Sequence, residues 1–412
     1  MTFTRLLPGV KQLHHPSGVM FDSFRRFTEA HPETSWFQTE AFFRFAQQWP
    51  EAEPVLLIAL KEQKLKDPGA GFWKQQRMAV DPPMSRQDEK LVAGSLLAIT
   101  ISEPPPRHKL LMPFNRLRKR LTARTVVYGG PLLAEGTRLE KETTLKALLQ
   151  ALQEKVSGRS LFTQLRNFYD MADYKPLMHS LGYKWHDRLN LLVNTSSHDT
   201  AWMGMSNTRR RQVKKSLANG AQIIESPSPQ QVDAFYDILH ALYKKKVRKP
   251  LPSRDFFHAL TGMTAAPGPQ TPGSTPKGPD KHDEAPACDP RPAITLLITH
   301  DSQVIGGITC PILPGKAMYE WYVCGLDREY KDKKIFPSVL ATWAALEHAA
   351  RNNVPRFDFM GLGTPEEKYG VRDFKARFGG TWVNHGRFSR INKKGSYAIV
   401  EIAYNIYQYI KR

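Results

Sequence analysis

FDFMGLGTPEEKYGVRDFKARFGG, residues 357–380, holds three kinds of local structure in one short span. Phe357-Asp358-Phe359 alternates like a strand, which puts both aromatics on one face and Asp358 on the other. Gly361 and Gly363 break the chain into a turn, a charged run of helical composition follows, and Phe378-Gly379-Gly380 halts it. Lys375 stands between Phe374 and that glycine pair. A corner built only for packing does not require a cation there. The residues leave two readings of Lys375 open: a solvated helix lysine before a helix stop, or a charge held between aromatic walls. Asp358 is open in the same way, as the cap of the turn that follows it or as a carboxylate that takes a proton from a nucleophile.

Outward from this block, apolar runs alternate with helix-like segments. Residues 55–60, 94–102, 125–129 and 160–167 read as strands, and the leucines of 140–156 recur at helical spacing. A second, similar round begins near Leu189. It contains the strand LNLLVN and a helix from Ser206 or Asn207 to Gly220. A helix around 229–246 follows, then strands in ITLLITH, VIGGITCPIL and AMYEWYVCG, and a helix in SVLATWAALEHAARN. The fold class expected is α/β (α+β), with a first domain over 1–190, a second over 191–390 and a C-terminal helix over 391–412. That helix is expected to pack on the first domain or on a membrane. Residues 265–292, rich in Pro, Gly and charge, are expected to form a flexible insert.

The chain has 412 residues and a formal charge of +20, which attracts polyanions. Cys288, Cys310 and Cys324 show no CxxC spacing, so a disulfide framework or a Cys-ligated zinc site is not expected. No secretory h-region opens the sequence and the longest apolar runs are strand-sized, so a cytoplasmic protein is expected. P-loop, GxSxG, HExxH and dinucleotide patterns are all missing; no metal and no cofactor are expected. His14-His15 reads as a solvated pair.

Two basic clusters stand out: Arg209, Arg210 and Arg211 with Lys214 and Lys215, and Lys244, Lys245 and Lys246 with Arg248 and Lys249. They read as a broad positive surface for phosphates, against the default of solvated charge. Tyr319 and Trp321 share one face of an expected continuous strand, with Tyr322 on the other. Residues 107–121 and 396–412 mix apolar and basic character and suit peripheral contact with an anionic inner membrane surface.

Several pieces, in order, resemble the Fem-type peptidoglycan bridge-forming aminoacyltransferases of the GNAT-fold acyltransferase group. They are SNTRRRQVKKSLANGAQI (206–223), FYDILHALYKKK (235–246), VIGGITCPILPGKAMYEWYVCG (304–325) and, above all, FDFMGLG with DFKARFGG (357–380). The resemblance implies two tandem GNAT-like domains with mixed central sheets and a shared cleft. It also implies transfer of an amino acid from aminoacyl-tRNA to an amine of a lipid-linked or nucleotide-linked peptidoglycan precursor. Lys375, beside Phe374, would stabilise the oxyanion, and Tyr319, Trp321 and Tyr322 would line the acceptor groove. Two features depart from the family pattern: no lysine follows Gln38-Thr39, where Arg44 is the nearby cation, and no long helical arm is evident. Residues 329–347 contain no glycine where an acetyl-CoA enzyme needs a pyrophosphate loop, which disfavours CoA as donor. A Fem-like N-acyltransferase with another donor and a polysaccharide or lipid acceptor, and a non-catalytic RNA- or membrane-binding module, remain as alternatives.

Overall fold

The continuous apolar runs at 92–101, 293–300 and 303–313 form strands buried along most of their length, and the chain divides into two units, 1–186 with 385–412 and 187–384. The computed structural model describes residues 5–7, 9–15, 18–61, 92–103, 121–247, 250–262, 293–367, 370–398 and 402. The expected insert at 265–292, nearly all of the basic piece at 107–121, Arg248, Lys249 and most of 396–412 lie outside them.

The first unit is built on a nine-stranded sheet. Its strands are β1 (Arg5–Leu7), β2 (Val10–Leu13), β3 (Ala52–Leu60), β4 (Val92–Ile101), β5 (Arg124–Gly129), β6 (Leu132–Leu133), β7 (Phe162–Asn167), β8 (Lys184–His186) and the late strand β17 (Arg387–Ile391). The order is β1-β2-β3-β4-β5-β7-β17-β8, with β6 also on β4. Its helices are α1 (Val19–Ala30), α2 (Glu40–Gln48), α3 (Arg138–Val156) and α4 (Lys175–Ser180). β5 and β7 run parallel, which requires a crossover, and α3 supplies it. Thr137 caps α3 in a capping box with Glu140, and Leu145, Leu148, Leu149 and Leu152 form its buried stripe.

The second unit repeats the plan. Its strands are β9 (Leu189–Asn194), β10 (Gln222–Ile224), β11 (Ala293–His300), β12 (Gln303–Leu313), β13 (Ala317–Tyr319), β14 (Tyr322–Gly325), β15 (Arg356–Asp358) and β16 (Thr381–Asn384). They lie in the order β10-β11-β12-β13-β15-β9-β16, with β14 also on β12. The helices are α5 (His198–Gly204), α6 (Asn207–Ala218), α7 (Pro229–Leu242), α8 (Arg254–Gly262), α9 (Pro337–Arg351) and α10 (Gly370–Ala376). β13 and β15 are the parallel pair and α9 the crossover. The fold class is thus mixed α/β, two sheets flanked by helices.

Three boundaries differ from the sequence reading. β17, inside the stretch read as the end of the second domain, pairs with β7 and β8 of the first sheet. The helix read over 229–246 is α-helical only to Leu242 and ends in a π-turn, Tyr243–Val247. The strand read through AMYEWYVCG is broken. Met318 pairs with Ile312 and Tyr322 with Thr309, so residues 319–321 oppose only 310–311. One extra residue makes a bulge and resets the alternation of faces.

Candidate active site

The bulge opens a fork in the second sheet. β13 lies between β12 and β15, whereas β14, past the bulge, pairs only with β12 among the described residues. The chain beyond β15 instead follows β9, with Phe359 N–H on Leu191 O at 3.1 Å and Leu362 N–H on Leu189 O at 2.8 Å. Where the strands part, the Glu320 N–H donates to Asp358 O at 2.9 Å.

Lys375, from α10, fills this fork. Its ammonium donates to Phe359 O at 2.7 Å and to Gly361 O at 3.2 Å, and pairs with Glu320 Oε1 at 2.8 Å. An ammonium has three N–H groups and all three have an acceptor. Lys375 is 7% exposed and Glu320 6%, so this is a buried ion pair. The Phe359 ring faces the ammonium at 5.3 Å. Of the two readings of Lys375, the solvated helix lysine is therefore not what the structure contains.

Asp358 shapes the turn that presents those carbonyls. Its Oδ1 accepts from Met360 N–H at 2.6 Å and from Asn190 Nδ2 at 2.7 Å, while Asn190 Oδ1 accepts from Gly361 N–H at 2.8 Å. The clamp holds Met360 at φ 55° and Gly361 at φ 132°, the left-handed side that costs a side chain energy. Asp358 thus caps its turn.

Glu320 and Asn190 were not singled out from sequence. A signal existed for Glu320, the one charged residue between Lys316 and Asp327 in an otherwise apolar and aromatic stretch. Burial pushes its carboxyl above the ordinary range, opposed by Lys375, and the charge of Asp358 pushes the same way as burial. Its Oε2 is buried with no partner among the described residues. Burial, and then Glu320, push the neighbouring Cys310 thiol well above its ordinary value, which keeps it protonated and unreactive.

Phe374 and Phe378 pack 5.4 Å apart between centroids, behind Lys375. Arg209 lies on both, 4.4 Å from the Phe374 ring and 5.3 Å from the Phe378 ring, and donates to Phe374 O at 3.2 Å. Burial lowers its pKa to about 10. Arg210 donates to the carbonyls of Met203 and Met205, each at 3.0 Å, closing the end of α5. Two of the five cations in this cluster therefore hold the chain's own backbone. Arg211, Lys214 and Lys215 remain exposed, as do Lys245 and Lys246 on the π-turn. The glycine pair serves the backbone too: a Cβ on Gly379 would lie 2.3 Å from Gly204 O, and one on Gly380 2.6 Å from Leu192 O.

The bulge also regroups the aromatics. Tyr319 is buried in the sheet, whereas Trp321 and Tyr322, expected on opposite faces, have stacked rings 5.8 Å apart. Both meet Phe256 of α8, at 5.2 and 5.8 Å. Tyr243, on the π-turn with Lys245 and Lys246, lies 6.3 Å from Tyr322.

The N-terminus of α9 is already occupied. Ser338 N–H donates to Asp327 Oδ1 at 3.1 Å, and Pro337 brings no N–H to the first turn. An incoming pyrophosphate would meet a carboxylate where a phosphate-binding helix offers free donors. Among the described residues no His, Cys, Asp and Glu group is placed to hold a metal ion, and no helix is long and apolar enough to cross a membrane.

These features define an α/β protein with two tandem GNAT-like units, each with one parallel strand pair joined through a crossover helix among the described residues. The fold is that of FemX. The chain is similar to the FemX crystal structure with TM-score 0.57 and 11% identity, over 95% of this chain and 99% of that one. It is also similar, at TM-score 0.49 and 10% identity, to a tandem GNAT protein from the clavulanic acid biosynthesis pathway, over 90% and 93% of the two chains. L-PGS from Bacillus licheniformis follows at TM-score 0.42 and 12% identity, over 74% and 85%. No family model matches the sequence, and no curated protein matches it.

Proposed function

We propose that the protein is an aminoacyltransferase that moves an amino acid from an aminoacyl-tRNA ester to an amine of a lipid-linked or nucleotide-linked peptidoglycan precursor. The observation that carries this reading is the buried Lys375–Glu320 pair at the fork. The amine nitrogen attacks the ester carbonyl carbon, and the carbonyl oxygen becomes an oxyanion. Collapse forms the amide and breaks the ester C–O bond. The amine's proton leaves the nitrogen and the ribose oxygen leaves as a hydroxyl. Lys375 would serve the oxyanion by exchanging its longest contact, Gly361 O at 3.2 Å, for the substrate oxygen. A fixed donor at that point lowers a barrier by about 3–4 kcal/mol, roughly 10²–10³ in rate. Glu320 holds the ammonium in place, and its Oε2, which has no partner among the described residues, would take the amine's proton once the substrate opens the fork. The carboxylate at the start of α9 supports a donor other than CoA. Exposed Arg211, Lys214, Lys215, Lys245 and Lys246 are the cations available to phosphates of either substrate, and Trp321 and Tyr322 supply an apolar wall.

The full occupancy of the Lys375 donors favours a second reading, a non-catalytic RNA- or membrane-binding module in which the lysine only closes the fork. Labelled aminoacyl-tRNAs and acyl-CoAs, each incubated with the protein and a lipid-linked or nucleotide-linked precursor, separate the readings. Label passing from charged tRNA supports the proposal, and label from acyl-CoA moves the reading to an N-acyltransferase. Label from neither, with retained RNA or vesicle binding, leaves the module.

A further inference from the structure

α6 carries five cations and no carboxylate in its 12 residues, and it buries one face through Arg209, Val213 and Ser216. Arg210, Lys214 and Leu217 fall at i, i+4 and i+7, on one flank of the same helix. Two side chains of α5 meet that flank. Arg210 donates to the Met203 Sδ at 4.0 Å, and the Lys214 ammonium lies 5.7 Å from the Trp202 ring. Arg377, whose carbonyl accepts from Ser206 N–H at 2.9 Å, adds an exposed cation at the start of α6.

Met203 is 67% exposed and Leu217 46%, and Trp202 is half-buried. One exposed apolar side chain is ordinary on a soluble surface. Here two flank a half-buried indole, and cations surround them, with Arg211 and Lys215 exposed on the adjacent flank of α6. Against these cations stand Asp199 and Glu347, which flank the His198 imidazole at 3.3 and 3.7 Å, and Asp373, one turn before Arg377. Five cations against three carboxylates leave the patch positive. A surface for phosphodiesters alone gains nothing from an exposed thioether and an isobutyl group among its cations. A bilayer uses both: anionic headgroups take the cations, the acyl boundary takes Met and Leu, and an indole favours the level between them.

We propose that this face, formed by α5 and α6 with Arg377, docks on an anionic lipid bilayer. Arg211, Lys214 and Lys215 meet lipid phosphates with their apolar stems along the boundary, while Met203 and Leu217 enter it. Each cation near such a surface raises partitioning about fivefold. The face is separate from 107–121 and 396–412, where the sequence suggested membrane contact. It uses neither Lys375 nor Glu320, so it stands or falls independently of the transfer reaction.

The test is cosedimentation of the full chain with vesicles of phosphatidylcholine alone or mixed with phosphatidylglycerol, with no tRNA or precursor present. The same proteins are titrated onto a fluorescein-labelled RNA hairpin. The variants are Met203→Ser/Leu217→Ser, Lys214→Gln/Lys215→Gln and, as a control of equal charge on the π-turn, Lys245→Gln/Lys246→Gln. The parent should sediment with the mixed vesicles and not with phosphatidylcholine alone. Lys214→Gln/Lys215→Gln should weaken that binding at least tenfold, and Met203→Ser/Leu217→Ser several-fold with its RNA affinity unchanged. The control should bind vesicles as the parent does, and all these exposed substitutions should leave Tm unchanged. Absence of sedimentation with the mixed vesicles overturns the proposal. So does undiminished vesicle binding by Met203→Ser/Leu217→Ser, which would report a surface for polyanions such as RNA or place the membrane contact in other segments. Equal weakening by the control also overturns it, as a report of the general positive charge.

Discussion

The two units solve the same problem at their sheet forks with different chemistry. In the first, β5 and β6 both lie on β4, and the chain breaks between them at Gly129-Gly130-Pro131. Both glycines have positive φ, and a Cβ on Gly129 would lie 2.6 Å from the Gln38 side chain. Gln38, 2% exposed, closes this fork as a neutral group. Its Nε2 donates to Gly130 O at 2.7 Å, and its Oε1 accepts from Ser35 N–H at 2.8 Å and Ser35 Oγ at 2.7 Å. In the second unit the corresponding break, at Glu320-Trp321, is closed by the Lys375–Glu320 ion pair. Taking a charge out of water costs several kcal/mol per ion, and a buried pair often stabilises no better than apolar residues. The first fork demonstrates that this chain can satisfy orphaned carbonyls without charge. Charge at the second fork therefore exceeds what closing a sheet requires, which is the feature the proposed transfer reaction would use.

The largest effect expected is that of Lys375→Met. Transfer should fall roughly 10²–10³-fold, and denaturant unfolding should show a loss of about 3–5 kcal/mol because Glu320 is left buried and unpaired. A complete fold with no cost would mean that the pair is not buried in solution. The double variant Lys375→Met/Glu320→Gln removes both charges; its stability should return to within about 1 kcal/mol of the parent or exceed it, while transfer stays lost. Wild-type turnover in that variant would reduce the second fork to the role of the first. Gln38→Leu is the matched change in the first unit. It orphans Gly130 O and both Ser35 donors, so a loss of about 1–3 kcal/mol is expected, with turnover per folded molecule unaltered.

The smallest effect is electrostatic. Glu320 has its carboxyl raised above the ordinary value, chiefly by burial. The folded state therefore holds its proton more tightly than the unfolded chain does. The contribution of this group to stability is fully present below the unfolded value and is lost as pH rises through the raised one. The free energy of unfolding of the parent should decline with pH across that window, with a slope of at most about 1.4 kcal/mol per pH unit from this one carboxyl. The decline should be smaller in Glu320→Gln. Identical profiles would remove Glu320 from the account.

Much of this architecture was legible because it depends on local periodicity. Strands β3, β4, β5, β9, β11 and β12 and helices α3, α6 and α9 lie where apolar spacing and capping residues place them, with Ser206, rather than the alternative Asn207, capping α6. The block at 357–380 also disclosed Lys375 as a cation that a simple corner did not need. What stayed hidden depends on register. A bulge of one residue at Tyr319–Trp321 has no sequence marker, yet it moves Trp321 and Tyr322 together and turns Glu320 toward Lys375. Arg209 and Arg210 looked like free cations because a run of charge does not reveal which members meet carbonyls and rings.

By itself the sequence determined which segments become strands and helices, and that a lysine stands beside two phenylalanines and two glycines near the end of the second unit. Only the tertiary structure decided that Glu320, far back along the chain, is its partner. The same holds for β17, which lies late in the chain yet pairs with β7 and β8 of the first sheet. The physical reason is common to both cases. Element type follows from side chains a few residues apart, whereas the partner of a buried charge follows from where distant strands part.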